Sequence, residues 1–416
     1  MNLPLRVLLL FSDTGGGHRS AAEALIEAWR AEHPGRVEAD MVDVFRGYTP
    51  FPFNQAPRTY PFTVRYFPPL YAATFYGSDS PRRARALACA SYPYVRRGLC
   101  RLLREHPADV IVSVHPLFNH CVNWAMRGLG MHVPYVTVVT DLCSGHASWY
   151  YPHVTRMFVP TEEARDRAVR CGVPLERLTV RGLPVARKFA KNPYRPEDRP
   201  AIRRRLGLQP EGRLVLIVGG GEGMGPIERF ARAIDAALPV TEPADQIVVI
   251  AGRNAALRER LCKQPWRRPF RAEGFVTNMP DWLAAADVLV TKAGPGSITE
   301  GLLSGLPLLL MGKVPGQEDG NVSYVTSRGV GAWQPDPERA AAQLREWLTP
   351  GNPTLAAMSL RASQLAVPDA ASAIADDILE TAQRSPSTRR SFACARAGGR
   401  GPGRSDSLWT SLQTRS

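Results

Sequence analysis

The sequence predicts an α/β chain built from two doubly wound domains in tandem, and three observations carry that reading. Short apolar runs of strand length alternate with stretches of helical spacing. The alternation halts near residues 188–200 and then begins again. In each half an apolar strand runs straight into a glycine cluster, the usual ligand side of a parallel sheet. A chain of 416 residues has room for two or three such domains.

In the first half, residues 7–11 are continuously apolar and end in Ser12-Asp13-Thr14-Gly15-Gly16-Gly17-His18, after which residues 21–31 have helical spacing. Further buried strands are predicted at 37–44, 110–114, 135–140 and 156–159, each closing in polar or Gly/Pro residues or running into a helical stretch. Residues 1–188 thus form the first domain. A linker follows at 189–200, where Lys191-Asn192-Pro193-Tyr194-Arg195-Pro196 is polar and interrupted by proline. The second domain, 201–355, repeats the pattern with strands at 214–218, 246–251, 271–276, 288–291 and 308–311. Residues 356–383 read as C-terminal helices with the option of packing back on the first domain. Residues 384–416 are a Ser/Arg/Gly-rich tail whose composition predicts disorder.

Composition excludes several classes. Hydrophobic residues make up 44% and charged residues 22%, which rules out collagenous, coiled-coil and wholly disordered chains. No apolar run approaches the roughly 20 residues of a spanning helix. The seven cysteines are scattered without a C-x-x-C pair, so neither a disulfide framework nor a zinc site is expected, and a reducing compartment is. No D-x-D pair follows a strand, and no metal is expected. The net charge of +14 includes 47 Arg against five Lys, and it suits phosphate-bearing partners or an anionic membrane without choosing between them.

One segment breaks the alternation. Residues 45–76 carry about a third of the aromatic residues, interleaved with proline and followed by Arg82, Arg83 and Arg85. Such a segment reads either as an interfacial membrane contact or as an irregular insertion packed on its own domain, with stacking on single-stranded nucleic acid as a third option.

The chemistry sits at the strand ends. Small residues at Gly15-Gly16-Gly17 let the chain turn sharply, and His18 stands at the carboxyl end of the first strand, where a neutral imidazole can take a proton. All eight histidines lie at or before His153, so imidazole chemistry must come from the first half. The second cluster, Gly219-Gly220-Gly221-Glu222-Gly223, also follows a strand. The next strand ends in Gly252-Arg253-Asn254 without the carboxylate that holds a dinucleotide ribose, which argues against NAD or FAD. Lys292-Ala293-Gly294-Pro295-Gly296-Ser297-Ile298-Thr299-Glu300 starts a helix aimed at an anion, with Glu300 one turn in and able to accept both hydroxyls of a ribose. Gly316-Gln317-Glu318-Asp319-Gly320-Asn321 supplies dense donors and acceptors. Together these suit a nucleotide sugar.

The ordered set of blocks closely resembles the plant-type monogalactosyldiacylglycerol synthases of the GT-B glycosyltransferase superfamily. It comprises Ser12 to Arg19, Tyr48-Thr49-Pro50, Phe53-Asn54-Gln55, Phe75-Tyr76-Gly77, Ser113-Val114-His115-Pro116-Leu117, Thr140-Asp141-Leu142, Gly182-Leu183-Pro184-Val185, the Gly219, Gly252 and Gly274 turns, and the Lys292 and Gly316 motifs. The resemblance implies two Rossmann-like domains facing a central cleft. It also implies an inverting hexosyltransferase that moves galactose from UDP-galactose to the sn-3 hydroxyl of diacylglycerol without a metal or other cofactor. His18 would be the base, with Asp141 or Asp13 orienting it. The diphosphate would face the turn that holds Gly220, Gly221, Glu222 and Gly223 and the cradle formed by Gly294, Gly296 and Ser297, with helix N-termini expected at Gly220-Gly221 and Gly296-Ser297 and with Arg253 nearby. Phe275 and Val276 would grip the uracil, Glu300 the ribose, and Gln317, Glu318 and Asn321 the galactose. The family arginine after Gly-Leu-Pro-Val is Ala186 here, leaving Arg187 as its substitute.

Phe51 and Phe53, with Trp149 and Tyr150, are the expected acceptor and membrane contacts, helped by anionic headgroups. Nucleic acid is not an expected partner. A diacylglycerol glucosyltransferase, an epimerase on the same architecture and a non-enzymatic surface binder are the competing readings. The strand pattern begins almost at Met1, so no transit peptide is expected, and the inner face of a bacterial cell membrane is the expected location.

Overall fold

A computed structural model describes residues 3–14, 16–190, 196–240 and 244–384. Gly15, most of the linker motif and the basic tail after Arg384 lie outside the described residues. The first sheet contains β1 (Leu5–Phe11), β2 (Val37–Asp43), β3 (Val110–Ser113), β4 (Tyr135–Val138), β5 (Arg156–Val159) and β6 (Leu178–Val180). All are parallel, in the order β2-β1-β3-β4-β5-β6. The second contains β7 (Leu214–Val218), β8 (Gln246–Ile250), β9 (Phe270–Glu273), β10 (Val288–Lys292), β11 (Leu308–Gly312) and β12 (Gly331–Trp333). These too are parallel, in the order β12-β11-β10-β7-β8-β9. The three-residue strands β6 and β12 escape prediction because neither is long enough to show a period.

The central strands β3, β4, β7 and β8 are buried along their whole length because both faces are covered, whereas β2 and β9 at the sheet edges carry charged residues. Leu8 and Leu10 of β1 join one core, while Leu5, Val7, Leu9 and Phe11 join the core on the opposite face. In β7, Leu214, Leu216 and Val218 part from Val215 and Ile217 in the same way. The helix Ala370–Arg384 packs against the helix Gly17–Glu32 of the first domain. Ile374, Ile378 and Leu379 complete that core, and the Trp29 indole donates to the Ala375 carbonyl at 3.0 Å.

Strand order places the ligand sites. In each sheet the direction of winding reverses once, between β1 and β3 and between β7 and β10, and the carboxyl ends of those neighbours form crevices. The first crevice is walled by the segments that follow Phe11 and Ser113. The second is walled by those that follow Val218 and Lys292, since Val218 pairs with Thr291.

The aromatic segment is more regular than its sequence suggests. A turn at Phe53–Gln55 leads into helices Ala56–Tyr66 and Pro68–Ser78, and a long helix, Pro81–Glu105, follows. Pro57, Pro68, Pro69 and Pro81 lie in first turns, where a missing N–H costs nothing, so residues read as interruptions are helix starts. Among the described residues no helix is long and apolar enough to cross a membrane.

Candidate active site

His18 opens the helix Gly17–Glu32 with its ring turned into the first crevice, 7% exposed. Its Nδ1 shares a 2.9 Å hydrogen bond with the Thr140 hydroxyl, and its ring centroid lies 4.6 Å from that of His115. Burial lowers the His18 pKa, while Asp141 and the Val114 carbonyl pull it back towards the charged form. The imidazole is therefore neutral near pH 7 and disposed to take a proton. His115 is depressed further, by burial and by His18. Its Nδ1 accepts from the Leu117 N–H at 3.3 Å and its Nε2 lies 3.0 Å from the Thr14 hydroxyl.

Asp141, just past β4, is 5% exposed and held from two sides. The Trp149 indole donates to Oδ2 at 2.6 Å, and Gln317 Nε2, from the second domain, donates to Oδ1 at 3.0 Å. Ser144 ties the same domains together, donating to the Gln317 carbonyl at 2.7 Å and accepting from the Gly320 N–H at 3.0 Å. Asp13, the alternative orienting carboxylate, is instead gripped by Arg19 at 2.6 and 2.7 Å, and that pairing lowers its pKa.

The second crevice forms a cradle of two glycine turns with Lys292 between them. Gly219–Met224 is a tight turn closed by Gly223 N–H to Gly220 O at 3.1 Å and Met224 N–H to Gly219 O at 2.8 Å. Gly223 has φ +58°, and a Cβ there would collide with the Ala251 carbonyl. The expectation of a helix N-terminus at Gly220 and Gly221 is corrected, because the following helix begins only at Ile227. A helix N-terminus does lie opposite, at Pro295–Leu303, with Gly294 as its cap and open space beside Gly296. Ser297 lies in its first turn. Lys292 stands between the two turns, its Nζ 2.5 Å from Glu318 Oε1 and its chain beside Gly220 and Gly294.

Glu318 is buried against Lys292 and the Val314 N–H at 2.8 Å, so it steadies the cradle instead of offering a free carboxylate to a sugar. Asn321 donates to the Ala293 carbonyl at 2.8 Å, and its buried Oδ1 has no partner among the described residues. Glu300 is half-buried at the same end. No side-chain hydrogen bond reaches its carboxyl among the described residues, and burial pushes its pKa up to about 7 against the pull of Lys188.

Across the β8 end, Arg253 pairs with Glu222 at 2.7 Å and lies 4.6 Å over the Phe275 ring. Phe275 and Val276 sit beyond β9 in a loop, with Phe275 57% exposed.

Three placements differ from expectation. Trp149 and Tyr150 are fully buried, at 0% and 2% exposure, so neither touches a membrane; the core around Asp141 claims them. Phe53 packs partly against the first-domain core, whereas Phe51 is 79% exposed. Arg187 gives its main-chain N–H to Glu27, and Lys188 is the side chain that crosses to the second domain, donating to the Thr277 carbonyl at 2.8 Å.

Lys292, Thr140 and His115 lie within motifs named above but are assigned no role there, and Tyr60 and Tyr71 are not singled out. Lys292 had a signal, being one of only five lysines and lying at a strand end before Gly-Pro-Gly. The two tyrosines had none beyond their place in the aromatic segment. Among the described residues no group of three or more His, Cys, Asp or Glu could hold a metal ion.

Comparison with known proteins agrees with this layout. Residues 18–185 match the monogalactosyldiacylglycerol (MGDG) synthase family model, and residues 214–374 match the glycosyltransferase family 28 C-terminal domain. A probable monogalactosyldiacylglycerol synthase 2, chloroplastic, from Oryza sativa subsp. japonica is 40% identical over 92% of this chain and 81% of its own length. Monogalactosyldiacylglycerol synthase 1, chloroplastic, from Arabidopsis thaliana is 38% identical over 92% of this chain and 72% of its own length.

Among solved structures, Acinetobacter baumannii MurG superposes with a TM-score of 0.58 at 15% identity, covering 91% of this chain and all of that one. That likeness shows the fold, which is GT-B. The relatives are named as chloroplastic plant proteins, which overturns the expected bacterial cell membrane. The chain belongs to the monogalactosyldiacylglycerol synthase family and is accordingly an enzyme, a hexosyltransferase.

Proposed function

We propose that the protein transfers galactose from UDP-galactose to the sn-3 hydroxyl of 1,2-diacylglycerol with inversion, giving monogalactosyldiacylglycerol. The observation that carries this reading is the unbroken line of contacts across the cleft. It runs from His18 through Thr140 and Asp141 to Gln317, and through Glu318 to Lys292 beside the cradle. The diphosphate lies against the Gly220-Gly221 turn, Lys292 and the helix N-terminus at Gly294–Ser297, which receive the charge leaving with UDP without a divalent cation. Glu300 accepts the ribose hydroxyls, the loop at Phe275 and Val276 takes the uracil, and Gln317 and Asn321 face the sugar.

The acceptor oxygen forms its bond to the anomeric carbon as the carbon–oxygen bond to phosphate breaks. UDP takes that electron pair and His18 takes the proton. Asp141 stabilises the resulting imidazolium.

Diacylglycerol stays in a bilayer, so the site must come to a lipid surface. Phe51, Phe62, Tyr66, Phe67 and Leu70 are all exposed on the aromatic segment and would enter the interface. Exposed Arg82 and Arg83 nearby suit anionic headgroups. The test is incubation with diacylglycerol liposomes and labelled UDP-galactose or UDP-glucose, in EDTA. Galactolipid is the expected product. Preferential transfer from UDP-glucose would make the enzyme a glucosyltransferase.

A further inference from the structure

Gln317 is oriented by residues that no site motif contains. Its side-chain amide has two unlike ends, a carbonyl that only accepts and an NH2 that only donates. The NH2 faces Asp141 Oδ1 at 3.0 Å, and a carboxylate oxygen can only accept. The carbonyl receives the hydroxyls of Tyr60 and Tyr71, each at 2.9 Å. A flipped amide would set oxygen against the Asp141 carboxylate, which has no proton to give, and would leave both phenol protons without the carbonyl that accepts them. The two tyrosines come from consecutive helices, Ala56–Tyr66 and Pro68–Ser78, with ring centroids 5.7 Å apart and edge to face. The same helices carry the exposed Phe62, Tyr66 and Leu70.

We propose that Tyr60 and Tyr71 are positioning residues that fix the orientation of the Gln317 amide and, through it, the Asp141 carboxylate beside His18. The exposed aromatic helices are thereby joined to the centre of the cleft by two hydroxyls. The inference rests on the reading of Asp141 and Gln317 given above. Asp141 is held by one donor from each domain, Trp149 on Oδ2 and Gln317 on Oδ1, so Oδ1 keeps its donor only while the Gln317 amide keeps its orientation. Burial raises both phenol pKa values, so each remains a donor across the neutral range.

The test is a set of variants: Tyr60→Phe, Tyr71→Phe, the pair, Gln317→Ala, and the pair in the Gln317→Ala background. Each single change leaves one hydroxyl on the carbonyl and should lower kcat no more than about threefold. The pair should lower it roughly tenfold or more, as expected for an amide freed to rotate. UDP affinity by calorimetry should not change, and the acidic limb of the kcat profile should move to higher pH as Asp141 loses a donor. In the Gln317→Ala background the two changes should lower kcat no further. Full activity in the double variant, or an equal loss in both backgrounds, would overturn the proposal.

A second readout does not need the reaction. The denaturation midpoint should fall with the tyrosine pair in the Gln317 protein and stay put in the Gln317→Ala protein. Additive losses would overturn the proposal even if no sugar moves. An inactive wild type with non-additive midpoints would instead refute the functional reading and leave the orientation standing.

Discussion

Glu300 provides the sharpest test of the donor site. Its carboxyl is pushed from 4.5 up to about 7 by burial, chiefly because water has been removed and no donor has replaced it. Ribose hydroxyls would supply donors to the ionised form, so binding should draw its pKa well down. If the free pKa is about 7, roughly one protein in ten carries the carboxylate at pH 6 and nine in ten do at pH 8. Affinity for UDP-galactose should therefore rise about tenfold between those values, with close to one proton released on binding at pH 6. UDP-galactose is the proper probe because its phosphates are diesters and do not titrate there.

Calorimetry in two buffers of different ionisation enthalpy measures both quantities. Glu300→Gln should abolish the slope and the proton release and weaken binding at pH 8. Stability has the opposite sign. A carboxyl with a raised folded pKa burdens the fold once ionised, so stability should decline as pH rises from about 4.5 through 7. The upper bound is about 3 kcal/mol, reduced because Glu300 keeps partial contact with solvent. A pH-independent affinity, or a slope that survives in Glu300→Gln, would refute the assignment.

Three further outcomes are expected. His18→Ala should lower turnover by roughly 100-fold or more in a folded protein, as judged by circular dichroism and UDP binding; near-normal turnover would move the base elsewhere. Trp149→Phe removes a charge-assisted bond to buried Asp141 and should cost on the order of 1.5–3 kcal/mol at neutral pH by denaturant titration, as well as activity. An unchanged midpoint would show that the indole is dispensable. Phe51→Ser with Phe67→Ser should weaken flotation with anionic liposomes and activity on membrane diacylglycerol while sparing a short-chain soluble acceptor, whereas equal losses on both acceptors would assign these side chains to packing.

Much of the fold is legible because buried parallel strands must be apolar on both faces. Residues 214–218 and 156–159 are found where their composition placed them. The aromatic segment was harder to read. Its helices lie between an exposed side and a cleft-facing side, and apolar residues occur on both, so the helical period is blurred, as the near-uniform helix Pro68–Ser78 illustrates. Trp149 shows the same limit. A tryptophan after a strand end can face a membrane or a carboxylate, and only the turn at Ala147–Trp149 folds its indole onto Asp141.

The sequence by itself determined the two-sheet architecture, the glycine turns and the family, because periodicity and ordered motifs are local properties of the chain. Strand order was decided only by the tertiary structure. It makes β1 a neighbour of β3, and so brings His18 to His115 across 97 residues of chain. The meeting of Asp141 with Gln317 was also decided there, since those residues belong to different domains and lie 176 residues apart in the chain. A set of contacts built across an interface leaves no period or spacing in the sequence, because the distance that matters is measured through space.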